Sequence, residues 1–291
     1  MKPDQIKPSQ RRRYEFIEFQ LMWEGTIGRR LIQEKFEISP QQATLDLTAY
    51  LDLAPKNMVY DTRQRTYTAR SNFRPIFIKG ETSEYLLHLE MFHQGYRAAE
   101  EIWPAHIPHF DAVAVESRQI APSVLKTVLA AIRSQSCVEL MYVSLSSESG
   151  EPRQLYPHAI ACDGHRWHIR AFDNDNKRYS DFVLSRVETI KLLELEAPER
   201  PDDVAWLSYV TLCMQPAPGL SERKRKRLEF EYAMKDGVLT LKVRQAMLFY
   251  YLRSYGFNPH DSENGKIRNK SSFSLSIVNL DEIEESLERR S

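Results

Sequence analysis

A chain of 291 residues with 42% hydrophobic and 11% aromatic side chains and only 10 glycines has material for two or three cores, which excludes a disordered polymer and a single small module. Lys+Arg and Asp+Glu both number 40, so no net charge draws the whole molecule to nucleic acid, but residues 1–80 hold 14 Lys+Arg against 9 Asp+Glu, which points to a polyanion site at that end. Cys137, Cys162 and Cys213 lie far apart in apolar sequence and read as reduced core residues, and no signal-like segment or run of about 18 apolar residues occurs, so a cytoplasmic protein without a membrane partner is expected.

Arg11 to Trp23 carries Tyr14, Ile17 and Leu21 at helical spacing, and a second helix is predicted from Thr26 to Phe36 on Ile27, Leu31, Ile32 and Phe36. A third begins at Ser39-Pro40-Gln41-Gln42: an N-cap serine, proline at the first helical position and glutamine three residues after the cap form a capping box. Ala43, Leu47, Tyr50 and Leu51 face its core, while Gln41, Thr44 and Thr48 form an outer stripe of short polar groups able to meet base edges or phosphates in a major groove. Asn57–Tyr60 and Arg65–Thr68 then flank Asp61-Thr62-Arg63-Gln64 as a hairpin with arginines near its tip. Helix, turn, capped helix and basic hairpin over residues 1–80 predict a winged helix-turn-helix. Its candidate DNA contacts are Arg11, Arg12, Ser39, Gln41, Gln42, Thr44, Thr48, Arg63 and Arg65, with Gln42 the weakest because its amide is wanted at the cap.

Residues 81–121 read as a helical linker. Tyr85, Leu86, Leu89, Phe92 and Tyr96 make it apolar enough to need a packing partner, either a second subunit or the chain's own following domain. Pro122 starts a helix through Arg133, and strands are predicted at Cys137–Ser144, Gln154–Ala161, Arg166–Phe172, Tyr179–Leu184 and Ile190–Leu195, a small antiparallel domain over 122–197. In Arg166–Phe172 alternation places Trp167, Ile169 and Ala171 inward and His168, Arg170 and Phe172 on the other face, where a histidine and an arginine are natural anion binders. Tyr142 and Ser144 share a face two positions apart, and His158 and Arg186 stand at strand ends. Residues 205–291 alternate strand (Leu207–Met214), helix (Ser221–Glu231), strand (Val238–Val243), helix (Gln245–Tyr255) and strand (Ser272–Val278), an α+β module. Arg223 to Arg227 is a basic run that points all round its helix.

The order Tyr142, Pro157, Asp163-Gly164, Trp167-x-Ile169-x-Ala171-Phe172-Asp173, then Arg178-x-x-x-Phe182-x-Leu184-x-Arg186-Val187 resembles the WYL domain, with Trp167-His168-Ile169 at the triplet that names it. With its flanking parts the chain is similar to the WYL regulators of BREX and CBASS phage-defence operons. The resemblance implies an α+β multidomain chain: a winged helix-turn-helix, a central Sm/SH3-like β-barrel and a C-terminal extension. It implies an effector surface at Tyr142, Ser144, His158, Arg170 and Arg186, which His168 would extend, taking a nucleic-acid or nucleotide-like ligand. The third helix in such regulators often carries Arg-Asp before an aliphatic residue; here Leu45-Asp46-Leu47 stands there, without the arginine.

No Walker loop, dinucleotide fingerprint or Gly-x-Ser-x-Gly occurs, and neither His106-x-x-His109 nor His165-x-x-His168 has zinc-site context, so no enzyme, cofactor or metal is expected. The expectation is a homodimeric repressor of a phage-defence operon that reads an inverted repeat in double-stranded DNA and is relieved by the effector. An activator of the same architecture is the alternative, and a metal-independent nuclease resting on His158, His168 and Arg170 is a remoter one.

Overall fold

The computed structural model describes residues 6–113, 118–145, 150–193, 200–259, 262–263 and 266–288. The chain folds as two compact units, Met1–Glu116 and Ser117–Ser291.

In the first unit, α1 (Pro8–Trp23) enters through a proline in its first turn and buries Tyr14, Phe16, Ile17, Phe19 and Leu21, so it is the central helix rather than a surface one. The second helix starts later than its periodicity predicts. Gly25, at φ 75°, and the extended Gly28 leave Thr26–Ile27 as a short strand, β1, before α2 (Arg29–Phe36). α3 (Pro40–Leu53) begins at the expected cap, the Ser39 hydroxyl accepting the Gln42 N–H at 3.1 Å. The Gln42 side chain does not complete the capping box; its amide donates to Asp46 at 3.2 Å. β2 (Met58–Asp61) and β3 (Thr66–Ala69) form the hairpin, and β1 adds to β3 through Thr26↔Thr68 and Ile27↔Tyr67, giving the order β1-β3-β2. α4 (Thr82–His93) packs within this same unit: Tyr85 stacks on Phe19 of α1 at 5.8 Å and Leu89 is buried.

In the second unit, α5 (Pro122–Ser134) lays Val124, Val128 and Ala131 on a five-stranded antiparallel sheet of β4 (Cys137–Tyr142), β5 (Glu151–Cys162), β6 (Trp167–Asp173), β7 (Arg178–Val183) and β8 (Val187–Leu193). The order is β7-β6-β5-β4-β8, and among the described residues no ladder joins β7 to β8. The last expected strand, Ile190–Leu195, begins earlier, at Val187, and positions 194–195 lie outside the described residues. Alternation on β6 is only half as predicted. Ile169 and Ala171 are fully buried, but Trp167 is half exposed, and His168, Arg170 and Phe172 are buried on the opposite face, His168 against Tyr250, Arg170 against Asp203, and Phe172 against Tyr156 and Tyr179.

The later part of this unit is a second sheet with its own core. After α6 (Val204–Leu207) come β9 (Tyr209–Pro216), α7 (Glu222–Glu231), β10 (Leu239–Arg244), α8 (Leu248–Ser254), the short pair β11 (Ser262–Glu263) and β12 (Lys266–Ile267), β13 (Leu275–Ile277) and α9 (Leu280–Glu288). β9 is central in the order β10-β9-β13, and Leu212, Met214, Leu248, Leu252, Leu275 and Ile283 pack on it. The strand predicted from Leu207 starts at Tyr209, because Asp203 caps one turn of helix through the Trp206 N–H. α7, with its basic run, buries no residue.

Candidate DNA-binding and effector sites

The outer face of the winged helix rests on a buried polar frame. Glu18 of α1, fully buried, accepts the N–H groups of Ile76 (2.7 Å), Phe77 (2.7 Å) and Ile78 (3.0 Å) and the Tyr50 hydroxyl of α3 (3.0 Å). Asn57 donates to the same Tyr50 hydroxyl at 2.9 Å and bonds both backbone groups of Arg74. Burial pushes the Glu18 carboxyl above its ordinary value, and its donors work against that shift. Asp46 of α3, also fully buried, takes a bidentate contact from Arg13 of α1, Nε at 2.6 Å and Nη2 at 3.1 Å. The third helix and the segment leaving the wing are therefore held to α1 by charge-assisted bonds.

This frame leaves Ser39, Gln41, Thr44 and Thr48 exposed on α3, with Leu45 64% exposed between them. The Thr44 and Thr48 hydroxyls donate to the carbonyls of Pro40 (2.9 Å) and Thr44 (3.0 Å), so each remains an acceptor. Gln42 is half-buried against Asp46 and the least available of the set. Arg63 and Arg65 are exposed in the wing turn: Asp61 Oδ1 accepts the N–H groups of Arg63 (2.8 Å) and Gln64 (3.1 Å), and Arg65 closes the turn at φ 53°. Arg11 pairs with Glu15 at 3.1 Å, whereas Arg12, Arg63 and Arg65 have no carboxylate partner among the described residues. Exposed cations on a wing turn and a first helix, and an outward polar stripe on the third helix, are groups suited to a phosphate backbone and a groove.

The effector candidates separate into two groups. Arg170, 2% exposed, is enclosed by carboxylates: Nε and Nη2 donate to Asp203 at 2.7 and 2.9 Å, and Nη1 to Asp181 at 3.2 Å. His158 joins the same Asp203 at 2.9 Å, its ring edge-on to Tyr179 and Trp206. Burial opposes ionisation of Asp203, but the bonds from His158, Arg170 and the Trp206 N–H, with the Arg170 charge, prevail and hold its carboxyl well below the usual carboxylate range. His168 is 3% exposed, with Nε2 3.1 Å from Asp163 and a buried Nδ1 that has no hydrogen-bond partner among the described residues. The open histidine-arginine face expected on β6 is thus a clamp between the five-stranded sheet and the segment entering α6. An anion would reach Arg170 by displacing a carboxylate.

Tyr142, Ser144 and Arg186 form the second group. The Tyr142 hydroxyl accepts the Val183 N–H at 3.1 Å and its ring meets Phe182 edge-on at 5.3 Å. Ser144 and Arg186 are half-buried near one another, the Val143 N–H donating to the Arg186 carbonyl at 3.0 Å, and Arg186 forms no ion pair among the described residues. Sequence reasoning does not find Asp181, Asp203 or Tyr250, whose hydroxyl donates to Asp181 at 3.0 Å. Asp203-Val-Ala-Trp carries an N-cap signal, but nothing local shows that its carboxylate serves an arginine 33 positions earlier.

Three stretches match described families: residues 9–91 the BrxR transcriptional regulator winged helix-turn-helix domain, 123–192 the WYL domain, and 209–283 the BrxR transcriptional regulator C-terminal dimerization domain. The first match runs through most of α4, in agreement with its packing on α1. The chain is similar to DNA-binding transcriptional repressors named CapW: 32% identical over 95% of this chain and 91% of the Pseudomonas aeruginosa protein, and 35% identical over 85% of this chain and 83% of the Stenotrophomonas maltophilia protein. The Escherichia coli protein of the same name is 32% identical over 94% of this chain and 90% of its own length. Among solved structures, proteasome accessory factor B/C of Arthrobacter aurescens aligns with 97% of this chain at 17% identity and a TM-score of 0.32, this chain spanning 46% of that one. By full-length identity and by the order of its three domains, the chain belongs to the CapW family of transcriptional repressors.

Proposed function

We propose that this protein is a cytoplasmic, homodimeric repressor of a phage-defence operon that reads an inverted repeat in double-stranded DNA and is released by a nucleic-acid or nucleotide-like effector. The observation that carries the DNA-binding part is the exposure, in one winged-helix unit, of the α3 stripe Gln41, Thr44 and Thr48 and of the wing arginines Arg63 and Arg65, which have no carboxylate partner among the described residues, while the frame carboxylates Glu18 and Asp46 are buried. Arg11, Arg12 and Ser39 add backbone contacts, and Gln42 adds little. A dimerization domain at one end of the chain and a winged helix at the other supply what a twofold operator requires. A second subunit contact through residues 81–121 is supported by Leu86 (55% exposed), Leu87 (49%) and Tyr96 (68%).

In this reading the effector meets Tyr142, Ser144 and Arg186 and acts on the clamp of His158, Arg170 and His168. The Sm/SH3-like barrel belongs to the same reading, supported by register shifts at Met141/Tyr142 and between Pro157 and Ala159, irregularities of the kind that let strands curve. Repression is favoured over activation by the relatives' shared name, and over nuclease activity by His158 and Arg170 being engaged by Asp203. A reporter fused to the DNA upstream of the protein's own gene tests it: deletion of the protein should raise expression. A fall on deletion would make it an activator.

A further inference from the structure

Two cavities in the second unit share a wall made of Asp163, Tyr250 and Ser254. We infer that they form one cleft for a nucleoside phosphate, with the phosphate between Arg118, Arg166 and Arg253 and the base against Tyr209 and Tyr251. None of the effector candidates read from the sequence lines either cavity. The inference stands on the cleft's own geometry and does not depend on the effector reading above.

The first cavity, of 340 Å³, is lined by three arginines from three separate parts of the chain: Arg118 ahead of α5, Arg166 in the β5–β6 turn and Arg253 on α8. Converging like charges repel one another, so such an arrangement asks for an anion. The one carboxylate in the lining does not supply it. Asp163 already accepts the N–H groups of His165 (2.9 Å) and Arg166 (2.7 Å), the Arg166 Nε (2.9 Å) and the His168 ring (3.1 Å). Burial opposes its ionisation, but these bonds outweigh burial and hold the carboxyl well below the usual range, so it stays an internal counter-ion. Arg118 and Arg253 have no carboxylate partner among the described residues. Guanidinium forks of this kind match the oxygens of a phosphate ester.

The second cavity, of 450 Å³, has a different chemistry. Tyr209, 49% exposed, carries Lys242 and Arg244 over its ring, each at 4.9 Å, and Tyr251, 39% exposed, lies in the same lining. A planar ring can stack on such aromatic faces, and the two cations add attraction for the ester's remaining charge. A ligand anionic at one end and planar at the other, of a size these volumes accept, is a nucleotide. It can be free, or it can be the 5′ end of a strand.

The test uses full-length protein without operator DNA, titrated calorimetrically with adenosine 5′-monophosphate, adenosine and a 5′-phosphorylated pentathymidylate. The nucleotide should bind and adenosine should bind at least about tenfold more weakly, the worth of one charge-assisted bond. Tighter binding of the pentanucleotide would assign the cleft to strand ends, and equal binding to free nucleotides. Arg118→Ala and Arg253→Ala, both at exposed side chains, should each weaken binding by about tenfold, and Arg223→Ala, on the exposed α7, should leave it unchanged. Failure of both phosphorylated ligands to bind the folded protein, equal binding of adenosine, or binding indifferent to Arg118 and Arg253 would overturn the inference.

Discussion

Replacing Arg170 by alanine removes the cation that lies between Asp181 and Asp203, and the geometry sets the scale of the loss. The guanidinium is 2% exposed and both carboxylates are 6% exposed, so the variant leaves two buried acids without their shared counter-ion. Breaking a buried pair in this way costs roughly 3–5 kcal/mol, more than the exchange of one ordinary hydrogen bond. Asp203→Ala should cost less, about 2–3 kcal/mol, because Arg170 keeps Asp181 while His158 and the α6 cap lose their acceptor. The double variant should fall short of the sum by about 1–3 kcal/mol, the coupling expected of neighbouring residues that share partners. Urea titrations followed by tryptophan fluorescence, at one fixed protein concentration because association adds to stability, measure all three. If Arg170→Ala unfolds within about 1 kcal/mol of the parent and yet loses its response to an inducer, Arg170 is a ligand-binding residue, and the clamp described here is wrong.

Further outcomes follow from the same geometry. Arg63→Ala with Arg65→Ala should weaken operator binding and flatten its salt dependence by about one unit of slope for each phosphate that is no longer neutralised, read from binding isotherms at several salt concentrations. Gln41→Ala and Thr44→Ala should instead narrow the difference between operator and random DNA, by about 1–3 kcal/mol at each base read. Glu18→Gln turns an acceptor of three backbone N–H groups into an amide with a misplaced donor, so thermal melts of the winged helix should show a loss of about 2–3 kcal/mol. Asp163 and Asp203 titrate below the ordinary carboxyl value of 3.8, so their contribution is whole above that value and disappears as pH falls through the lowered folded-state values. The second unit should therefore hold its urea midpoint from neutrality to about pH 5 and lose it below about pH 4, and Asp203→Asn should flatten that fall.

Local signals carry far in this chain, and the failures share a cause. Ser39-Pro40 marks the start of α3, and alternating apolar residues mark β4 to β7, because caps and pleats are decided within a few residues. Thr26–Ile27 reads as helix from its neighbours, but pairing with Thr68 and Tyr67, some 40 positions on, overrides a helical period broken by Gly25 and Gly28. The Arg166–Phe172 stretch is legible as a strand, but its second face is not legible as buried. A histidine and an arginine read as solvent-facing until Asp163, Asp181 and Asp203 are brought to them, and two of those three acids lie more than ten positions away. The exposure of the wing arginines is easier to read, since both lie in the turn between two short strands.

Footprinting purified protein on the DNA upstream of its own gene tests the central claim most directly. A dimer carrying two winged helices should protect two half-sites related by a dyad, with centres about 34–36 Å or a multiple of that apart, and with Arg63→Ala and Arg65→Ala the same protection should require more protein. A single unpaired half-site, or protection of that DNA no stronger than of random sequence, would contradict it.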